Sequence, residues 1–274
     1  MREISADYAS ADDLLWQAAA SRLPQAGALR VRRSGRIGPL VEIAMARLAL
    51  PDAYAAINFE SPFMLLAAQA LREGVISGSL AEEIMGVFPL SQHDPKAQDQ
   101  LHWDQWSKHA ENMAVNGGIA RRLAEGLIGA LGELQDNVYK HSHRSETGLV
   151  AFAVSRGAFE FVVADAGIGV LASLRQNPEF SSLTDSGAAM RAAASDGASR
   201  FGRETGHGYG IGQLFRALAH HEGELRFRSG DHALTLSGDS PNLTGHVEIA
   251  QKAWLTGLTI SVRCKAHLRS GGRV

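Results

Sequence analysis

The sequence predicts an α/β protein in two parts, and three observations carry this prediction. Residues 118–141 place apolar side chains at helical spacing, which predicts one long amphipathic helix. Two strand-like runs follow at 148–155 and 158–164, and two more alternating segments lie towards the end of the chain. Residues 40–90 are apolar and alanine-rich, and residues 1–98 are predicted to form a smaller N-terminal module of α/β or helical type.

Length and composition narrow the class of protein. The chain has 274 residues, enough for one large domain or two ordinary ones. Its net charge of -2 favours neither nucleic acid nor an anionic membrane as a partner. Cys264 is the single cysteine, so an intramolecular disulfide is excluded. The N-terminus does not resemble a signal peptide, and we expect a cytoplasmic protein.

The N-terminal module is predicted to alternate helices with short strands. Ser10 is the expected cap of the first helix, and Gly74 is expected to end another that begins at Pro62. Residues 90–100 are polar and contain a proline, which predicts a linker before a second domain at 112–268. The predicted elements are helices over 10–22, 62–74 and 79–88 and strands over 27–33 and 55–59.

The segment GELQDNVYKHS places three polar residues on one edge of the long helix. Glu133, Asn137 and Lys140 fall within about 60° of each other, beside the apolar stripe. An amide oxygen such as that of Asn137 can ligate Mg²⁺, and Lys140 can neutralise a phosphate. Glu133 can polarise an attacking water. By itself the pattern also fits an ordinary solvated helix face.

The segment VVADAGIGV ends a predicted strand with a carboxylate and two glycines. Asp165 can accept a hydrogen bond from an exocyclic amine such as that of adenine. Gly167 and Gly169 let the backbone pass close to a flat ring. A plain turn after a strand explains the same residues equally well.

A third segment, GHGYGIGQLFRAL, alternates four glycines and leads into a predicted helix. Free N–H groups at a helix start bind phosphate oxygens. The spacing matches neither the dinucleotide-binding pattern nor a P-loop, and a flexible hinge is the alternative. The predicted contacts are Gly206, His207, Gly208, Tyr209, Gly210, Ile211 and Gly212.

Taken in order, the three segments resemble the N, G1 and G2 boxes of the GHKL superfamily. This superfamily includes gyrase B, the MutL proteins, histidine kinases and anti-sigma serine kinases. The resemblance covers about residues 115–265. It implies a Bergerat fold, a two-layer α/β sandwich with a mixed, mostly antiparallel sheet that binds Mg²⁺ and ATP.

The resemblance also assigns roles to individual residues. Glu133 falls at the position of the general base in hydrolysing members, and His141 falls at the mouth of the nucleotide site. Residues 170–205 correspond to the mobile ATP lid. Many members carry a threonine directly after the glycine of the last strand, but here Thr259 comes one residue later. This departure puts the adenine-side water network in doubt.

Three functions remain open from the sequence. The first is a slow ATPase that acts as a nucleotide-dependent regulatory switch, with a protein partner at the N-terminal module or the lid. The second is a protein kinase of serine or histidine type, and the third is a nucleotide-binding module without chemistry. The sequence leaves a homodimer open, and it does not explain the insertion at 231–256 before the last strand.

Overall fold

The computed structural model describes most of the chain. The described residues are 2–20, 27–32, 36–54, 57–74, 76–80, 83–92, 100–155, 157–194, 223–237 and 247–266. Among them, no helix has the length and apolar character needed to cross a membrane.

Helices and strands alternate in the first third of the chain, and helices are grouped later. The N-terminal elements are β1 (Arg2–Ser5), α1 (Tyr8–Ala19), β2 (Gly27–Arg32), α2 (Gly38–Ala49), β3 (Ile57–Glu60), α3 (Pro62–Glu73), β4 (Ile76–Leu80) and β5 (Glu83–Pro89). The later elements are α4 (Gln100–Asn116), α5 (Arg121–His141), β6 (Leu149–Ser155), β7 (Ala158–Asp165), α6 (Gly169–Leu174), α7 (Ser186–Ala194), β8 (Gly223–Ser237) and β9 (Val247–Lys265). The protein is therefore of the α/β class.

A six-stranded sheet forms the centre of the described structure. Its strand order is β4-β5-β6-β7-β9-β8, and every neighbouring pair is antiparallel. A second, three-stranded sheet joins β1, β2 and β3 in parallel. The sequence predicted one mixed sheet. Among the described strands, parallel pairs occur only in the small sheet, and the large sheet is antiparallel.

Helices cover both faces of the large sheet, because the N-terminal helices add a layer to the two that were predicted for residues 112–268. On one face, α4, α5 and α7 share a hydrophobic core with Phe161 and Val163 of β7. On the other face, α2 packs on β7 and β9, α1 on β9 and α3 on β5, in a core that includes Val162 and Ala164. The strand is buried along its whole length, as expected for a strand covered on both sides. The described architecture around the large sheet thus has three layers.

Strand pairing crosses the predicted boundary at residue 98. The predicted helix over 79–88 was wrong, because β5 lies between β4 and β6 in the large sheet. Val87 faces the N-terminal helices and Phe88 faces α4, so the run is apolar on both sides. Leu90, placed in the predicted linker, is buried and donates its N–H to the Gly148 carbonyl. Tertiary pairing overrides a helical pattern in such a short run.

The start of α1 differs from the sequence prediction, and the end of α3 agrees with it. The first helix begins at Tyr8, and its cap is Asp7, whose Oδ1 accepts the Ser10 N–H at 2.8 Å. The prediction that Ser10 caps this helix was therefore wrong, because the carboxylate of Asp7 accepts the free N–H group at the helix start. The predicted end at Gly74 was confirmed. Gly74 has a φ of 99° and donates its N–H to Ala70.

Buried charges join the N-terminal helices to the second face of the sheet. Glu160 of β7 accepts the backbone N–H groups of Ile37 and Gly38 at 2.9 and 2.8 Å, which caps the start of α2. Burial raises the pKa of Glu160, and these N–H donors oppose the shift. Nearby, Arg226 of β8 binds Glu42 of α2 at 2.7 Å. The two parts of the chain are therefore held together by paired polar groups.

We expect Glu160→Ala to lower the free energy of unfolding by about 2–4 kcal/mol, because it leaves two buried N–H groups without an acceptor. Urea unfolding measures the change. Glu248→Ala, at an exposed position on β9, is the matched control and should cost less than about 0.5 kcal/mol. Equal urea midpoints for the two variants would contradict the assigned role of Glu160.

Candidate functional site

The predicted polar edge of the long helix exists, and the helix itself was confirmed as α5. Its buried side includes Leu127, Leu134 and Val138. Glu133 is exposed and Asn137 is half-buried, so the edge runs along the border of the packed face. The side chains at this edge are open to solvent and able to meet a ligand.

Lys140 is held at this edge by a neighbour on its own helix. Its Nζ lies 2.9 Å from Oδ2 of Asp136, one turn earlier, and both side chains are accessible to solvent. Exposed pairs of this kind contribute little stability. Lys140 can therefore exchange Asp136 for another anion at small cost.

Asp165 is a buried carboxylate at the end of β7. Only 2% of the residue is exposed, and Oδ1 accepts the Gly167 N–H at 2.7 Å. Within the described part of the chain, Oδ2 accepts no hydrogen bond. Burial raises the pKa of Asp165 to about 6, and the Gly167 N–H opposes the shift. The carboxylate is charged at neutral pH and keeps one oxygen for an external donor.

A backbone contact joins the end of α5 to the loop after β7. Ile168 donates its N–H to the carbonyl of Ser142, the residue that caps α5, at 2.9 Å. A Cβ at Gly167 would overlap that same carbonyl oxygen, so this position requires a glycine. Asp165 follows Val163 by two residues and shares the α5 face of the sheet. Asn137 and Asp165 therefore lie on one side of the sheet.

The last strand forms a second wall beside Asp165. The pairing of β8 with β9 shifts register after Ser229, and Gly257 lies in this bulge with a φ of 79°. A Cβ at Gly257 would overlap the Asp165 carbonyl oxygen. Glycine is thus needed both for the conformation and for the close approach of the strand.

Ser229 links the bulge to the first turn of α6. Its hydroxyl donates to the Gly257 carbonyl at 2.6 Å and accepts the Val170 N–H at 3.1 Å. Gly169 has a φ of 75°, and a Cβ there would lie 2.8 Å from the Ser229 hydroxyl. Gly167, Gly169 and Gly257 are therefore three close backbone approaches around Asp165.

The sequence did not reveal the hydroxyl side chains that bind the backbone around Asp165. Besides Ser229, Thr147 accepts the Ala166 N–H with Oγ1 at 2.9 Å, which fixes the backbone directly after Asp165. Serine and threonine are common in loops and carry no distinctive spacing here. Only the tertiary contacts identify these residues.

The late threonine of the last strand does not face Asp165. Leu258 pairs with Asp165, and Thr259 pairs with Ala164 on the opposite face of the sheet. Thr259 is buried, and its Oγ1 has no hydrogen-bond partner within the described residues. The departure noted in the sequence thus means that Thr259 provides no hydroxyl on the Asp165 side.

Of the remaining predicted nucleotide contacts, His141 lies in the described part of the chain and the glycine segment does not. His141 is the last residue of α5 and is half-buried. The glycine segment, with Gly206, His207, Gly208, Tyr209, Gly210, Ile211 and Gly212, lies outside the described residues. Among the described residues, no three His, Cys, Asp or Glu side chains form a metal cluster. A Mg²⁺ held by one amide and by phosphate oxygens needs no such cluster.

The first part of the predicted lid is packed rather than loose. Residues 170–205 showed no strong core pattern in the sequence, yet α6 and α7 fold against β8 and β9. Ala189 and Met190 of α7 are fully buried in the core. Residues 195–205 of this segment lie outside the described residues.

No family model, curated protein or solved structure matched this chain.

We expect Asp165→Asn to raise the free energy of unfolding at pH 8 by about 2–3 kcal/mol. The folded-state pKa of Asp165 is raised, so the folded protein binds the proton more tightly than the unfolded chain. The wild type therefore loses this contribution as pH rises from about 4 to about 6, whereas the amide of the variant does not titrate.

Urea unfolding between pH 4 and pH 8 measures the difference. The gain from Asp165→Asn should shrink towards zero at pH 4. Asp52→Asn, at an exposed position, is the control and should leave stability unchanged at both pH values. A difference independent of pH would mean that Asp165 carries no buried charge.

Proposed function

We propose that this chain is a Mg-ATP-binding protein of the GHKL type, a slow ATPase that works as a nucleotide-dependent regulatory switch. The observation that supports it most is the hydrogen bond from Ile168 to the Ser142 carbonyl. This contact brings the helix that carries Asn137 against the loop that follows Asp165. A Bergerat fold, with its adenine-binding aspartate and N-box helix, is the arrangement we infer.

Asp165 is the proposed contact for the adenine amino group. Its free Oδ2 can accept that amine, and the low local dielectric strengthens the bond. Guanine and hypoxanthine present a carbonyl oxygen at the same ring position, which a buried carboxylate would repel. The site should therefore prefer adenine nucleotides over those with an oxygen at this position.

The edge of α5 is the proposed phosphate side. The Asn137 amide oxygen would ligate Mg²⁺, and Lys140 would leave Asp136 to bind a phosphate oxygen. Glu133 lies one turn before Asn137 and is exposed, so it can reach a water in front of the phosphate. Bound Mg²⁺ would supply charge neutralisation at the phosphates. This accessibility of Glu133 favours hydrolysis over an inert module.

The switch itself is proposed to act through the segment that begins with α6. Gly169 and Val170 are the first residues of α6 and follow the Asp165 loop directly. A nucleotide bound at Asp165 would therefore lie beside the start of this segment. The predicted lid, residues 170–205, and the N-terminal module are the parts proposed to meet a protein partner. A protein kinase and an inert nucleotide-binding module are the alternatives that labelled ATP distinguishes.

We expect Asn137→Ala to weaken Mg-dependent ATP binding at least tenfold, which is about 1.4 kcal/mol. The amide oxygen is the proposed protein ligand of Mg²⁺, and alanine cannot replace it. Calorimetric titration of ATP with and without Mg²⁺ measures the effect. Asn112→Ala, at an exposed position on α4, should bind ATP like the wild type. Unchanged affinity in Asn137→Ala would remove the proposed site.

We expect Glu133→Ala to reduce phosphate release from ATP by about 10²–10⁴-fold while ATP affinity stays within a factor of about three. Radiolabelled ATP distinguishes the alternatives. Label transferred to a partner protein would indicate a kinase, and binding with neither reaction would indicate an inert module. Glu125→Ala, exposed on the same helix, is the matched control and should hydrolyse normally. Undiminished release in Glu133→Ala would exclude it as the general base.

A further inference from the structure

A fully buried arginine lies on β8 beside the bulge, on the face of the sheet opposite to Asp165. Arg228 has 0% of its surface exposed. Its guanidinium donates to the backbone carbonyls of Gly230 and His232, each at 2.9 Å, and to the carbonyl of Ala253. Within the described residues, the side chain therefore bridges β8 and β9 through main-chain acceptors.

Burying this cation is costly. Within the described residues, no carboxylate forms an ion pair with Arg228, whereas Arg226 two residues earlier binds both Glu42 and Asp12. Burial lowers the pKa of the Arg228 guanidinium. A buried charge needs hydrogen bonds that offset the loss of its hydration. Here the acceptors are three carbonyl groups at one irregular place in the sheet.

That irregular place is the bulge that carries Gly257. The pairing of β8 with β9 slips between Ser229 and Gly230 and again between Gly230 and His232. Regular ladder hydrogen bonds are interrupted there, and the arginine fork supplies donors to carbonyls on both strands. Ser229, the next residue, binds the Gly257 carbonyl. The chain of contacts runs from Arg228 through the bulge to Gly257 and the Asp165 backbone.

We propose that Arg228 is a positioning residue that holds the β8–β9 bulge in the shape that presses Gly257 against Asp165, and thereby sets the base selectivity of the site. The inference rests on the proposed function. A lysine cannot serve, because its ammonium group is a point charge and cannot bridge three fixed carbonyls with a planar fork. Loss of the fork lets the bulge relax, and the Asp165 carboxylate then no longer meets the base edge at one fixed position.

The test compares the dissociation constants of Mg-ATP and Mg-GTP for the full chain and its variants. We expect Arg228→Met to reduce the preference for ATP at least tenfold, and we expect Arg228→Lys not to restore it. The ratio is informative because general destabilisation lowers the folded fraction equally for both nucleotides. Unchanged preference in Arg228→Met would overturn the inference and leave the proposed function standing.

Arg226→Met is the matched control. Arg226 lies two residues earlier on the same face of β8 and is 5% exposed, but it binds the N-terminal helices instead of the bulge. This variant should lose stability and keep its preference for ATP. A loss of preference as large as that of Arg228→Met would show a general packing effect and overturn the inference.

Ser229→Ala is the second variant, should Arg228→Met fail to fold. It removes the hydroxyl that ties the bulge to Gly257, and it should also reduce the preference for ATP. Full preference in Ser229→Ala would contradict the proposed chain of contacts. Failure of the wild type to bind either nucleotide would overturn the proposed function, and the inference with it.

Discussion

The hydrogen bond between Ile168 and the Ser142 carbonyl connects the two sequence segments on which the candidate site depends. It fixes the position of the end of α5 relative to β7. It also excludes any side chain at residue 167, because a Cβ there would overlap the Ser142 carbonyl. Without it, the polar edge of α5 and the buried Asp165 would be unrelated features. With it, the end of α5 contacts the loop after Asp165, and the bulge of β9 packs against the Asp165 backbone from the other side.

Strand β7 carries two buried carboxylates that face opposite sides of the sheet. Glu160 caps α2 on the side of the N-terminal helices, and Asp165 faces α5 five residues later. Both carboxylates have a raised pKa because both are removed from water. One rigid, fully buried strand thus connects the N-terminal part of the chain to the candidate site.

Much of the fold and of the site was predictable where local pattern is decisive. The apolar period of α5 and the strand-like runs at 148–155 and 158–164 led to the right elements, and Asp165 was expected at a strand end. The helix predicted over 79–88 failed because β5 is buried between two strands, and a buried strand and a short helix have similar apolar content. Ser229, Thr147 and Arg228 were missed because their roles exist only through contacts with distant backbone.

By itself, the sequence determined the residue types of the site and the elements that carry them, because helix period and strand alternation are properties of neighbouring residues. The tertiary structure alone decided that both faces of the large sheet are covered and that Thr259 faces away from Asp165. It also decided that Gly257 reaches Asp165 through a bulge held by Arg228. These outcomes depend on strand register and on long-range packing, and no local pattern specifies either one.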